Sequence, residues 1–225
     1  MRFNSDQIQK IGKEISSKVD GKTLFDEFSR GRYSTDASVY QIKPLGVVLP
    51  KDTNDVLSLM EYSQKNSVPL LARGGGSSQC GQTVGESVVL DYSKHQNKIL
   101  ELNVEEKYVW VQPGVVLDHL NAYLKPHGLW FPVDVSTSSR ATIGGMSANN
   151  SCGSRSLYYG NMVHNVLAIE AILDDGSIFN FDQINKNYLA TKNNQDRLYK
   201  IIDKFIDVRQ QVGGEIDANW PTTQR

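Results

Sequence analysis

The chain has 225 residues, with 24 Lys and Arg against 25 Asp and Glu, a formal net charge of −1, and 39% hydrophobic residues. That length suits one large or two small domains with a real core, and the near-neutral charge without a basic block argues against nucleic acid as the main partner. No apolar run approaches the ~18 residues of a membrane span.

The opening Met1-Arg2-Phe3-Asn4-Ser5-Asp6 lacks the apolar core of a signal peptide, so the expected location is cytoplasmic. Ile8, Ile11, Ile15 and Val19 recur at helical spacing behind Ser5-Asp6 and predict an amphipathic helix. The polar stretch from Phe28 to Tyr40 has little periodicity. Gly46-Val47-Val48-Leu49-Pro50 reads as a short buried strand. A helix capped by Asp52 or Thr53 follows, with Val56, Leu57, Met60 and Tyr62 inward, and it stops before Val68-Pro69 because a residue preceding proline avoids the helical region. Leu70-Leu71-Ala72 is a second strand and Val88-Val89-Leu90-Asp91 a third.

The pattern then changes. Lys98 to Leu102 and Lys107 to Val111 flank a polar turn and predict a β-hairpin. Val116, Leu117, Leu120 and Leu124 mark a helix ending near Pro126 and Gly128. From Pro132 to Gly160 the chain is rich in Ser, Gly, Asn and Thr but poor in charge, as expected of backbone ordered against something. Leu167, Ile169, Ala171 and Leu173 alternate as in a strand, and Asp174-Asp175-Gly176-Ser177 turns into Ile178 to Phe181. Leu198, Ile201, Ile202, Phe205 and Val208 predict a closing helix. From Gly213 to Arg225 there is no usable pattern. The elements indicate an α+β fold.

Between the second and third strands lies Arg73-Gly74-Gly75-Gly76-Ser77-Ser78-Gln79-Cys80-Gly81. Three consecutive glycines are entropically costly and suit close backbone approach to a ligand, and successive N–H groups with an Arg and hydroxyls suit an anion. A diphosphate cradle and a plain surface loop both fit. The Gly-x-Gly-x-x-Gly fingerprint fails, because Gln79 takes the last glycine position. A triphosphate-binding loop over Gly76 to Thr83 has Gln82 where Lys is needed, and no helical pattern follows. Cys80 and Cys152 lie far apart and read as reduced packing residues. The four histidines, His95, His119, His127 and His164, lack metal-ligand spacing, so no metal site is expected.

Together with this loop, Val111-Gln112-Pro113-Gly114-Val115, Phe131-Pro132-Val133-Asp134, the run from Ala141 to Gly153, and Tyr159-Gly160 resemble in order and spacing the PCMH-type FAD-binding domain of the vanillyl-alcohol oxidase / p-cresol methylhydroxylase flavoproteins. Within that family the chain looks most like FAD-linked D-2-hydroxyacid dehydrogenases acting on D-lactate, glycolate or D-2-hydroxyglutarate. Arg32 to Tyr40, followed by Pro44 to Val48, looks like their large iron–sulfur-containing branch.

The resemblance implies two α+β subdomains with FAD in a cleft between them: a lead-in over residues 1–40, a first subdomain over 41–95, a second over 96–212, and a tail over 213–225. Arg73, Gly74, Gly75, Gly76, Ser77, Ser78 and Gly81 would hold the FAD diphosphate, with Pro132, Asp134 and Ser136 along the other wall. Asp134 reads equally as a turn residue, and Tyr159 as core. Thr142, Ile143, Gly144 and Gly145 would offer backbone amides, Asn149, Ser151 and Gly153 would run beside the ribityl chain and flavin, and Ile169 would meet the adenine end. Relatives with covalent flavin carry His where Ser77 stands, which implies dissociable FAD. The implied chemistry is hydride transfer from a D-2-hydroxy acid to FAD, with electrons leaving to an iron–sulfur centre, quinone or cytochrome. No catalytic residue is assigned, since the family's active-site histidines and iron–sulfur ligands lie downstream of such a domain. The chain thus reads as the N-terminal part of a longer enzyme, peripheral to a membrane in some settings. Gly75→Val is expected to abolish FAD binding and spare the fold.

Overall fold

Four short strands build the central sheet, in the order β1 (Lys22–Leu24), β2 (Gly46–Leu49), β4 (Val88–Asp91) and β3 (Leu70–Arg73). β2 and β3 run parallel to β4 on its two sides, and β1 is antiparallel to β2. The structure, a computed structural model, describes residues 3–182 and 197–221. β2 and β4 are buried at every position, as continuous apolar strands in a covered parallel sheet must be.

Helix α1 (Ser5–Ser16) starts at a capping box in which Asn4 and Gln7 exchange side-chain and backbone hydrogen bonds. Its buried stripe is Ile8, Ile11 and Ile15. A short helix α2 (Glu27–Arg32), capped by Asp26, occupies part of the stretch that showed no periodicity. Helix α3 (Thr53–Asn66) connects β2 to β3 and is capped by Asp52, whose carboxylate accepts from Asn54 and Asp55 N–H. It buries Asp55, Val56, Leu59 and Tyr62. The inward residue is thus Leu59, while Leu57 and Met60 sit only half-buried, because positions 55, 59 and 62 share the face that meets the sheet.

A two-stranded ribbon, β5 (Ile99–Asn103) and β6 (Tyr108–Val111), pairs antiparallel. Together with helix α4 (Leu117–Leu124) it builds a second core, in which buried Val115, Leu120 and Leu124 pack against Ile99, Leu102, Val109, Phe131 and Ile143. A turn of 3-10 helix (Lys125–His127) ends at Gly128. The low-charge segment beyond residue 132 is ordered, but as three short helices linked by turns: α5 (Ile143–Ala148), α6 (Ser156–Tyr159) and α7 (Met162–Asn165).

The chain divides into two compact units, Met1–Asn165 with Asp174–Gly176, and Val166–Leu173 with Ser177–Arg225. The second holds the antiparallel hairpin β7 (Ile169–Ile172) and β8 (Ile178–Phe181) and the helix α8 (Arg197–Asn219). α8 corrects the reading of a patternless tail, since it runs through Gly213-Gly214 to Asn219. Leu198 and Ile202 are buried on it, whereas Phe205 and Val208, expected inward, are exposed.

The buried Asp55 ties α3 to the sheet edge, for its carboxylate accepts from the backbone N–H groups of Lys51 (2.7 Å), Asp20 (2.8 Å) and Gly21 (2.9 Å). Replacing it strands three donors at once. Asp55→Ala is expected to cost about 3 kcal/mol in urea denaturation, with Asp55→Asn intermediate.

Candidate functional site

The glycine loop leaves β3 at the carboxyl end of the parallel strands, where open α/β sheets bind ligands. Gly75 packs against backbone and Gly74 against the Thr142 side chain. A Cβ on Gly75 would overlap the Arg140 carbonyl, and one on Gly74 would overlap the Thr142 hydroxyl. Gly76 (φ +64°) and Gly81 (φ +71°) occupy the left-handed region, with a Cβ at Gly81 falling 2.5 Å from the Tyr40 ring.

Among the described residues, no hydrogen-bond acceptor is found for the backbone N–H groups of Gly74, Gly75, Gly76, Ser77, Ser78 or Gln79. Buried backbone donors are nearly always paired within the protein or to ordered water, and these six residues, half-buried or exposed, leave theirs open to water or a ligand. A run of consecutive uncommitted amides is the chemistry of an anion-binding nest.

The expected charged donor is already engaged. The Arg73 guanidinium donates to the carbonyl oxygens of Thr35 (2.9 Å), Thr83 (3.2 Å) and Tyr33 (3.5 Å), and lies 5.2 Å from the Tyr33 ring centroid. Arg73 thus clamps the loop's two ends to the segment before β2. The Tyr33 hydroxyl donates to Asp91 at 2.7 Å, and burial, together with that carboxylate, pushes the phenol well above its ordinary pKa. Ser78 is likewise turned inward on the loop, donating to the Gln82 side chain at 2.7 Å and accepting from Cys80 N–H.

The opposite wall is used differently from the expectation. Ile143 N–H donates to Val115 O (2.8 Å), Gly144 N–H to Pro113 O (2.9 Å) and Gly145 N–H to the Thr142 hydroxyl (3.4 Å). The amides expected to face a ligand there instead hold α5 against residues 113–115. Gly144 is glycine because a Cβ would press on Pro113. The Asp134 carboxylate accepts from the Ser154 hydroxyl (2.7 Å) and Arg155 N–H (2.9 Å), with the Arg155 guanidinium at 3.9 Å, and the Ser154 bond foremost holds its pKa below the usual carboxylate range. Asp134 is the fastener of the 153–155 turn. Gly153 lies so close that any Cβ would overlap the Asp134 carbonyl.

Asn149 and Ser151 N–H groups close the end of α5, on Gly145 and Met146 carbonyls. Pro132 lines a shallow depression of about 290 Å³ with Leu129, Trp130, Phe131 and Tyr108. Ser136 is exposed. Ile169 stands on β7 in the second compact unit. Tyr159 is not core: it is 41% exposed and meets Trp130 edge-on at 5.1 Å, with the Arg155 guanidinium over the indole at 4.9 Å. Cys80 and Cys152 are free and exposed, so neither packs a core. Among the described residues no group of His, Cys, Asp or Glu is arranged to hold a metal ion, and no helix is long and apolar enough to cross a membrane.

What the motifs missed is the segment over residues 33–40. Asp36 accepts from Ser38 N–H (2.9 Å) and from the Thr83 hydroxyl (3.0 Å), and Ala37 N–H donates to Gly76 O (3.1 Å). The sequence marked this segment by its density of Ser, Thr and Asp and by the family resemblance of residues 32–40, neither of which gave these bonds. After the glycine loop the chain enters β4 rather than a helix, which removes the triphosphate-loop reading.

The FAD binding domain family matches residues 44–182. The chain belongs to the FAD-binding domain family. Among curated relatives, the D-2-hydroxyglutarate dehydrogenase of Escherichia coli is 40% identical over 212 residues, covering 91% of this chain and 20% of that protein. The D-2-hydroxyglutarate dehydrogenase of Haemophilus influenzae is 42% identical over 155 residues, covering 68% and 15%. The mitochondrial D-lactate dehydrogenase [cytochrome] of Kluyveromyces lactis is 40% identical, covering 60% and 24%. The chain therefore spans a quarter or less of each of these relatives. Among solved structures, an alkyldihydroxyacetonephosphate synthase shares the fold with a TM-score of 0.67 at 20% identity, covering 82% of this chain and 36% of that one. The 6-hydroxy-D-nicotine oxidase of Arthrobacter nicotinovorans shares it with a TM-score of 0.65 at 16% identity, covering 73% and 36%. The mixed helix-and-strand architecture is thus that of FAD-binding flavoproteins.

The residues present fit FAD: the loop carries amides that are uncommitted among the described residues, and its glycines at 74, 75, 76 and 81 admit no side chain. The glycine contacts also change what substitution at the loop should do. Because Gly75 rests on the Arg140 carbonyl, Gly75→Val should lose thermal stability, by about 2 kcal/mol or more, together with FAD uptake. Gly145→Ala, whose Cβ would stand 3.2 Å from the Thr142 hydroxyl, should stay within about 1 kcal/mol of the wild type. Parallel melting curves and FAD titrations of the two variants check both expectations.

Proposed function

We propose that this chain is the cofactor-binding part of a flavin-dependent oxidoreductase that oxidises a D-2-hydroxy acid, of the D-2-hydroxyglutarate or D-lactate kind, and passes the electrons to an acceptor other than NAD. The observation that carries the reading is the run of uncommitted amides over residues 74–79 at the carboxyl end of β3. The 40% identity to a D-2-hydroxyglutarate dehydrogenase across nearly the whole chain supports the substrate class.

In this reading the loop from Gly74 to Gln79 receives the diphosphate through main-chain dipoles, with Ser77 and Gly81 part of the same turn. Arg73 keeps the loop in shape. Asp134, Gly153, Thr142, Ile143, Gly144, Gly145, Asn149 and Ser151 form the frame of the second wall, with Pro132 and Ser136 at its margins; a contact of Ile169 with the adenine end is part of the same proposal. FAD, when bound, supplies the hydride acceptor. The chain's own contribution is to bind and orient it. FAD is held non-covalently, because the loop presents Ser77 and no histidine. The hydroxy acid, its general base, and an acceptor such as an iron–sulfur centre, a quinone or a cytochrome belong to the complete enzyme. The domain limits near residues 40, 95 and 212, and a cytoplasmic or membrane-peripheral location, are part of the same proposal.

The test is an absorption spectrum of the purified chain before and after acid precipitation, followed by titration of the apo chain with FAD. Bands near ~370 and ~450 nm that move to the supernatant as intact FAD are expected. A colourless chain that takes up no added FAD would overturn the reading, and colour that stays with the precipitate would overturn its non-covalent part.

A further inference from the structure

The segment over residues 33–40 lies before the part of the chain that the FAD-binding domain family matches, residues 44–182, yet it holds the glycine loop on several sides. It is closed on itself by the Thr35–Gln41 bridge and by Ile42 N–H donating to Ser34 O at 2.8 Å. From that closed turn, Ala37 N–H reaches Gly76 O, the Thr35 carbonyl receives Arg73, the Tyr40 ring sits against Gly81, and the Asp36 carboxylate receives both the hydroxyl (3.0 Å) and the N–H (3.4 Å) of Thr83. These bonds take up carbonyls, hydroxyls and the Arg73 side chain. They leave the amides of residues 74–79 unbonded.

We infer that residues 33–40 are a strap that presets the glycine loop in its anion-binding shape, with Asp36 as the positioning residue that latches the loop's far end through Thr83. This inference rests on the proposed FAD-binding function and goes beyond it by assigning part of the retention of FAD to residues outside the run of uncommitted amides. The physical reason is preorganisation. A loop with three consecutive glycines has many accessible shapes, and a nest works only if its N–H groups already converge. Asp36 contributes a charge-assisted latch from outside the nest. Burial opposes the charge on that carboxylate, but the bonds from Ser38 and Thr83 prevail and hold its pKa below the ordinary value.

The test compares the wild type, Asp36→Ala, Asp36→Asn and Thr83→Val, each purified and loaded with FAD. The rate of FAD release into excess apo-acceptor is measured, along with hydrogen exchange of the apo chains. Asp36→Ala and Thr83→Val are expected to release FAD about tenfold faster, while Asp36→Asn, which keeps an acceptor oxygen, stays within about threefold. Exchange should accelerate at the Ala37 and Ile42 amides, with the β2 and β4 amides as protected as in the wild type. Release at the wild-type rate from Asp36→Ala and Thr83→Val overturns the strap assignment. So does uniform loss of protection across the sheet, which would make Asp36 a general stabiliser. If Asp36→Ala fails to fold, Thr83→Val, which removes the shorter, hydroxyl bond of the same latch, decides the matter alone. A wild-type chain that binds no FAD would instead fail the proposed function, so the two failures are separable.

Discussion

Main chain packed directly on main chain is the constraint from which the candidate site follows. Gly74 and Gly75 rest on Arg140 and Thr142, Gly114 on the carbonyls of Tyr92 and Gln96, Gly144 on Pro113, and Gly153 on Asp134. Each contact excludes a β-carbon. At Gly114 and Gly144 the N–H groups are spent as well, on the Gln96 and Pro113 carbonyls, whereas at Gly74 and Gly75 no acceptor is found among the described residues. The cost is conformational entropy, about 0.5–1 kcal/mol per glycine relative to alanine. Buried neighbours such as Val115, Ala141 and Met146 offset it with apolar burial nearby.

The same geometry redistributes the electrostatic work. Arg73 looks from its place in the sequence like a phosphate ligand, but its donors are aimed at the carbonyls of Tyr33, Thr35 and Thr83. In the proposed function, anion recognition would then fall to peptide dipoles rather than to a formal positive charge. This suits a chain of net charge −1, which has no basic field to spare for attracting anions generally. Charged side chains such as Arg73, Asp36, Asp91 and Asp134 are spent on bonds within the protein.

The legible parts of the sequence were those where one face of one element decides the pattern. Alternation in Tyr108 to Val111 and the Asp174 to Ser177 turn gave hairpins because pairing partners are close in the chain. The Asp52 cap gave α3 its start. β1 was invisible because three residues, Lys22 to Leu24, become a strand only by pairing with β2. α2 hid for a similar reason, being six residues long with Phe28 facing solvent. The end of α8 showed no pattern because it is almost wholly exposed, with no apolar face repeated through Gly213-Gly214. At the site, the motif residues located the right loops but not their bonding. Nothing local distinguishes the free N–H of Gly75 from the engaged N–H of Gly144, since the acceptor on Pro113 is thirty-one residues away in sequence. The part played by Asp36 was similarly hidden, because Thr83 meets it only after the sheet has formed.

The strand order carries a consequence for biosynthesis. β4, the middle strand of the parallel three, is the last of the sheet's strands to be translated. Until residue 91 has emerged from the ribosome, β2 and β3 are apolar edges without the neighbour that separates them in the finished sheet, and pairing them with each other would give a wrong register that must be undone. The stretch that joins β3 to β4 spans residues 74–87, long enough for the late strand to enter between its predecessors. Between emergence of β3 and of β4 the nascent chain therefore carries apolar strand edges that the finished sheet covers.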